Sequence, residues 1–111
     1  MNGLRKKRVD VLISGRGTNM AALLYAAKQQ NCPSEIILVA SNNPDAEGLT
    51  LAQGEGIATF AQAHKGVDRA AFDAIMQQQI EKAGATHVAL AGYMRILSDA
   101  FVEHWGGRML N

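Results

Sequence analysis

Short apolar runs rich in branched side chains alternate along the chain with longer stretches whose apolar residues recur every three or four positions. That alternation is the pattern of strands joined by crossover helices in a parallel sheet. Residues 9–14 read as a first strand, apolar enough to be buried on both faces. Residues 15–18 make a turn, and 19 to about 30 form a helix with Leu23, Leu24 and Ala27 as its stripe, ended before Pro33. Residues 35–41, with Ile36, Ile37, Leu38 and Val39, read as a second buried strand, followed by the turn formers Asn42-Asn43-Pro44-Asp45. A helix over 47–55 stops at Gly54 and Gly56, and 57–61 is a weak third strand. Asp68 reads as an N-cap, with Val67 and Phe72 spaced as a hydrophobic staple. The helix that follows is expected to bury Phe72, Ile75, Met76, Ile80 and Ala83 before ending at Gly84. Residues 87–91 form a fourth strand and 92–97 a loop. Ser98 then caps a short helix carrying Phe101 and Trp105, Gly106-Gly107 closes it, and 109–111 begin a fifth strand. The expected fold class is α/β, an open parallel sheet with helices on both faces.

Composition adds bounds rather than chemistry. At 111 residues and 48% hydrophobic, the chain is one domain able to build a core without disulfides. The single cysteine, Cys32, has no internal partner and no Cys/His cluster of metal spacing accompanies it, so no metal is expected and a reducing, cytoplasmic setting is. No apolar run reaches the roughly 20 residues of a membrane span, so no membrane partner is expected. The net charge of +1 hides an asymmetry: Arg5, Lys6, Lys7 and Arg8 are four of the eleven positive side chains, and the rest of the chain is about −3. We read 1–8 as a solvated basic leader and 9–111 as the domain. Without a basic helix face or interleaved aromatics, no nucleic-acid partner is expected. The chain stops inside an apparent buried strand at Arg108-Met109-Leu110-Asn111, and a continuation beyond Asn111 is expected. The oligomeric state stays open, a homo-oligomer included.

In an open parallel sheet, ligands bind beyond the carboxyl ends of the strands, where strand order reverses. That rule selects residues 15–19, residues 92–97 and Asn111, with the first and fourth strands flanking the reversal. Ser14-Gly15-Arg16-Gly17-Thr18-Asn19 combines glycines that let a ligand approach the backbone with a helix start that offers N–H groups to an anion. The same residues also read as a tight turn capped by Thr18 or Asn19, and the segment alone does not choose. Ala91-Gly92-Tyr93-Met94-Arg95-Ile96-Leu97-Ser98 would set apolar groups and open backbone at the crevice mouth, suited to a flat heteroaromatic ring. Taken alone, the packing reading is stronger there, with Leu97 stapled to Val102 and Met94 tucked under the next helix.

Together the segments say more. Val11-Leu12-Ile13-Ser14-Gly15 with Gly17-Thr18-Asn19, Ala40-Ser41-Asn42, Leu90 to Ser98, and Gly107-Arg108-Met109-Leu110-Asn111 strongly resemble the phosphoribosylglycinamide formyltransferases, also called glycinamide ribonucleotide transformylases. The likeness runs from about Val9 to the last residue and corresponds to the N-terminal half of that family. It implies a Rossmann-like fold and a reaction of purine synthesis in which the amine of glycinamide ribonucleotide attacks the formyl carbon of the co-substrate 10-formyltetrahydrofolate. By the same resemblance Gly17, Thr18 and Asn19 hold the ribonucleotide phosphate, and Met94, Arg95, Ile96 and Leu97 line the folate pocket. Arg69 lies near the folate's acidic tail, and Asn111 is the catalytic asparagine, its neutral amide donating to the developing oxyanion. The family's histidine shortly after this asparagine, and its later aspartate, have no counterpart here, so turnover by this chain alone is not expected. His64, His87 and His104 read as structural residues of a loop, a strand edge and a helix face. Two other readings remain: a formyltetrahydrofolate hydrolase or methionyl-tRNA formyltransferase, the latter disfavoured by the −3 body, and a non-catalytic nucleotide-binding module.

Overall fold

A computed structural model describes residues 6–29 and 31–110. Its strands are β1 (Lys7–Ile13), β2 (Ser34–Ser41), β3 (Ala58–Ala61), β4 (His87–Leu90) and β5 (Met109–Leu110). Its helices are α1 (Thr18–Ala27), α2 (Glu47–Gly54), α3 (Arg69–Lys82) and α4 (Asp99–Trp105), and a single 3₁₀ turn, Gly106–Arg108, leads into β5. The strands lie in the order β3-β2-β1-β4-β5, and every pairing is parallel. The chain therefore builds outward from β1 in one direction, then crosses back to add β4 on the other side of β1. The reversal falls between β1 and β4, the pair expected from the sequence.

Period-two alternation sorts β1 between two cores. Val9, Val11 and Ile13 pack with Met20 and Leu24 of α1 and Leu49 and Ala52 of α2. Leu12 faces the other way, into a core with Phe72, Met76 and Ile80 of α3 and Phe101 and Trp105 of α4. Asp10 shares Leu12's parity and stands in register with Leu38 and Val88, both members of that second core. It is 0% exposed, and neither carboxylate oxygen has a hydrogen-bond partner. Burial holds its carboxyl well above the ordinary pKa.

The expected caps form. The Asp68 carboxylate accepts from the Ala71 backbone N–H at 3.3 Å, and Val67 packs on the core that contains Phe72. Ser98 Oγ accepts from the Phe101 N–H at 3.2 Å, so α4 starts where its sequence signal stands. Removing the first cap by Asp68→Ala is expected to cost about 1 kcal/mol, a fall of roughly 4–8 °C in a thermal melt.

Three local expectations differ from the structure. The first helix ends at Ala27 rather than near residue 30, and the chain leaves it through Asn31 at φ +70°. Its buried residues are Met20 and Leu24, with Leu23 and Ala27 only half-buried. In α3, Ile75 is only half-buried, Ala83 is exposed and lies one residue past the helix, and Asp73, not among the residues expected inside, is buried. At the start of the chain β1 takes in Lys7 and Arg8. Arg8 is clasped at that end of the sheet: its N–H donates to Thr86 Oγ1 at 3.1 Å and its Nε to the Gly84 carbonyl at 2.6 Å. Arg5 lies outside the described residues.

Candidate active site

The carboxyl ends of β1 and β4 open into a crevice of about 380 Å³ lined by Ser14 to Asn19 on one side and Ala91, Gly92 and Met94 on the other. Two of the three segments selected by topology thus meet across it, and the third, Asn111, lies outside the described residues. A larger groove of about 640 Å³ runs between α3 and α4, flanked by Asp73, Gln77 and Ser98. We place the chemistry in the smaller crevice because it holds both a helix start and the strand reversal.

Gly17 makes the first wall. It is the N-cap of α1, in the left-handed region at φ +82°, and no side chain caps the helix. The alternative of a turn closed by Thr18 or Asn19 is not what the loop adopts. The first-turn N–H groups of α1 have no intrahelical partner and carry the positive end of the helix dipole. Among the described residues, Arg16 is the one charged side chain lining the crevice. The loop is seated on α2: Gly48 N–H donates to the Gly15 carbonyl at 3.1 Å, and a Cβ on Gly17 would stand 2.7 Å from Gly48 Cα. Gly48 is itself so close that a Cβ there would collide with Ile13 Cδ1. In the sequence Gly48 carries no mark beyond being a glycine inside a helix, where alanine would otherwise be favoured.

The opposite wall leaves β4 through Gly92 at φ +75°, where an added Cβ would lie 3.9 Å from Asn19 Nδ2. Met94 and Ile96 are 82% and 72% exposed, so Met94 is not tucked under α4, while Leu97 packs on the α3/α4 core. Arg95 folds back with its guanidinium 4.6 Å above the Phe72 ring, and its Nε is buried without a partner. Tyr93 is half-buried; burial, then the Asp73 carboxylate, push its hydroxyl well above the ordinary pKa, with Arg95 opposing. It is therefore a neutral hydroxyl across the physiological range. Arg69 is exposed in the first turn of α3 and does not line the crevice.

A hydrogen-bonded chain joins the two walls. Met94 N–H donates to Ser14 Oγ at 2.7 Å, and the Ser14 hydroxyl donates to Asn42 Oδ1 at 2.6 Å. Asn42, at the exit of β2 and buried, has its side-chain Nδ2 and its backbone carbonyl oxygen each 3.1 Å from His64 Nδ1, which accepts from the first or donates to the second according to its tautomer. Ser14 and His64 were not expected to act together, since 50 residues of chain separate them. The other histidines sit elsewhere. His87 opens β4 at the end away from the crevice, its pKa lowered by burial and by Lys7 and Arg108. His104 on α4 lies 3.0 Å from Glu81.

The comparisons with known proteins agree with this architecture. The sequence profile of the formyl transferase family matches residues 7–111. The chain belongs to the formyl transferase family. The phosphoribosylglycinamide formyltransferase of Escherichia coli is 43% identical over 104 residues, 93% of this chain and 49% of that protein. The trifunctional purine biosynthetic protein adenosine-3 of Gallus gallus is 43% identical over 107 residues, 96% of this chain and 11% of the larger protein. The crystal structure of phosphoribosylglycinamide formyltransferase from Brucella melitensis superposes with a TM-score of 0.88 at 35% identity, covering 95% of this chain and 55% of that one. The Coxiella burnetii structure gives 0.85 at 40% identity, covering 95% and 50%. This formyl transferase chain spans about half the length of the bacterial relatives it matches and a smaller part of the trifunctional ones. Among its described residues no helix is long and apolar enough to cross a membrane, and no three His, Cys, Asp or Glu side chains are grouped to hold a metal.

Proposed function

We propose that this chain is the substrate-binding half of a phosphoribosylglycinamide formyltransferase, taking glycinamide ribonucleotide and 10-formyltetrahydrofolate on the two walls of the crevice. The observation that carries the reading is the uncapped start of α1 behind Gly17, facing a second loop of exposed apolar side chains across the β1/β4 reversal. A phosphate dianion suits the first wall: N–H groups and a helix dipole converge there, with Arg16 beside them. Gly17, Thr18 and Asn19 are its ligands in this reading. Met94, Arg95, Ile96 and Leu97 take the pterin, whose flat ring is read by backbone groups between apolar side chains. Arg69, outside the crevice, reaches the acidic tail of an extended folate.

The reaction is attack of the ribonucleotide amine on the formyl carbon; the new C–N bond replaces the bond to the folate nitrogen, which leaves carrying the proton that the amine gives up. The carbonyl oxygen becomes an oxyanion in the tetrahedral intermediate, and a neutral amide donor there is worth about 3 kcal/mol. Asn111 is assigned that part. The chain thereby binds both substrates and supplies one oxyanion donor, while the proton-transfer histidine and aspartate that the resemblance implies are not among its residues.

Calorimetric titration tests the reading. Glycinamide ribonucleotide is expected to bind at least about tenfold more tightly than adenosine monophosphate, because the crevice selects a phosphate ester with a short amine rather than a base. Tighter binding of the plain mononucleotide would instead identify a general nucleotide-binding module.

A further inference from the structure

In the segment from Gly92 to Leu97, Tyr93 and Leu97 pack on the α3/α4 core, but the side that faces the anion loop has little packing to hold it. Its two most prominent apolar side chains, Met94 and Ile96, point into solvent, and Gly92 has no side chain. Besides that packing, three contacts hold it or its end: the Arg95 guanidinium on the Phe72 ring, the Ser98 N–H on Asp73 Oδ2 at 2.6 Å, and the Met94 N–H on Ser14 Oγ. The first two tie it to α3. Only the third reaches the wall that carries the anion loop.

We propose that Ser14 is a positioning residue that sets the Met94–Leu97 segment at its working distance from the anion loop, with Asn42 and His64 as its outer supports. The hydrogen-bond inventory gives the assignment its direction. A serine hydroxyl has one proton, here committed to Asn42 Oδ1, so its lone pair is turned toward the Met94 N–H. Asn42 is 5% exposed and cannot exchange this partner for bulk water. His64, in the loop after β3, in turn backs Asn42, with its Nδ1 within 3.1 Å of both the side-chain Nδ2 and the backbone carbonyl. One hydroxyl therefore holds together the exits of β1, β2 and β4, and the loop after β3 backs it. This inference rests on the proposed function for its ligands but not for its geometry.

Two measurements on the full chain test it together: affinities for inorganic phosphate and for tetrahydrofolate, and amide hydrogen exchange at Met94. Ser14→Ala is expected to weaken tetrahydrofolate binding about tenfold while phosphate affinity stays within about twofold, as loss of one positioning hydrogen bond on one wall requires. Exchange at the Met94 amide is expected to accelerate about tenfold in the same variant. His64→Ala, an exposed loop substitution, is expected to give a smaller loss of tetrahydrofolate affinity, about threefold. The inference is overturned if Met94 exchange is unchanged in Ser14→Ala, or if both affinities fall in parallel with the melting temperature. Wild-type chain that binds neither probe would sink the proposed function, and the Met94 amide would still decide the role of Ser14.

Discussion

Replacing Asp10 with valine is expected to raise the melting temperature at pH 7 by roughly 5–15 °C, and by a smaller amount at pH 3. The wild-type carboxyl sits between Leu38 and Val88 with both oxygens unpartnered, so folding strips its water and returns nothing. A buried polar group without a hydrogen bond costs about 1–3 kcal/mol by mutational measures, and valine at this position is a good strand former that fills a similar volume. The pH dependence follows from proton linkage. Burial raises the folded-state pKa well above its ordinary value of 3.8, while the unfolded chain titrates near that value. Below it both states hold the proton. As pH rises through it the unfolded chain ionises and the folded one does not, so wild-type stability falls with rising pH until the folded-state pKa is reached. Asp10→Asn separates the two effects, because it abolishes the titration and keeps unpaired polar atoms in the core. Thermal melts of the three proteins across pH 3–8 check this, and a valine variant that melts no higher than wild type at pH 7 would refute the assignment.

Gly17→Ala should abolish most anion binding, weakening inorganic phosphate by about a hundredfold, and lower the melting temperature as well. Two independent effects combine. An L side chain in the left-handed region costs roughly 1–2 kcal/mol, and the new Cβ would collide with the Gly48 backbone, which cannot swing aside as a flexible side chain could. The loop must then lift off α2, and the N–H groups at the start of α1 lose their aim. Gly15→Ala is the control for stability: nothing lies within 4 Å of an added Cβ there, so its melting temperature should stay within about 2 °C of wild type. Equal destabilisation by the two alanines would remove Gly48 from the explanation.

Much of the fold was legible because its signals are local. The branched apolar runs, the Asp68 and Ser98 caps and the glycines of the first turn each report on a few neighbouring residues, and the crossover rule converts their order into a sheet. The crevice followed from topology, and its family from the combination of segments. What could not be read is non-local. Ser14 meets Asn42 across 28 residues and Met94 across 80, and no periodicity encodes such a meeting. Asp10 illustrates a subtler gap. The run Val9-Asp10-Val11-Leu12-Ile13 forecasts a strand buried on both faces and so places the carboxyl inside, but whether a partner waits there depends on what α3 and α4 bring.

The strand order also governs when binding competence can arise. Every described pairing is parallel, so no two neighbouring strands can zip together through a tight hairpin, and each must wait for an intervening helix to be threaded. The β1–β2 pair closes over α1 alone, whereas β4 reaches β1 only after α1, β2, α2, β3 and α3 have been spanned. A species with β1, β2 and β3 assembled but β4 undocked has the glycine loop and lacks the wall opposite it. Ligand affinity for the two-walled crevice is thus a probe of the β1–β4 closure, and retention on a folate resin would separate molecules that have made it from those still lacking β4 and the β5 strand that pairs on it.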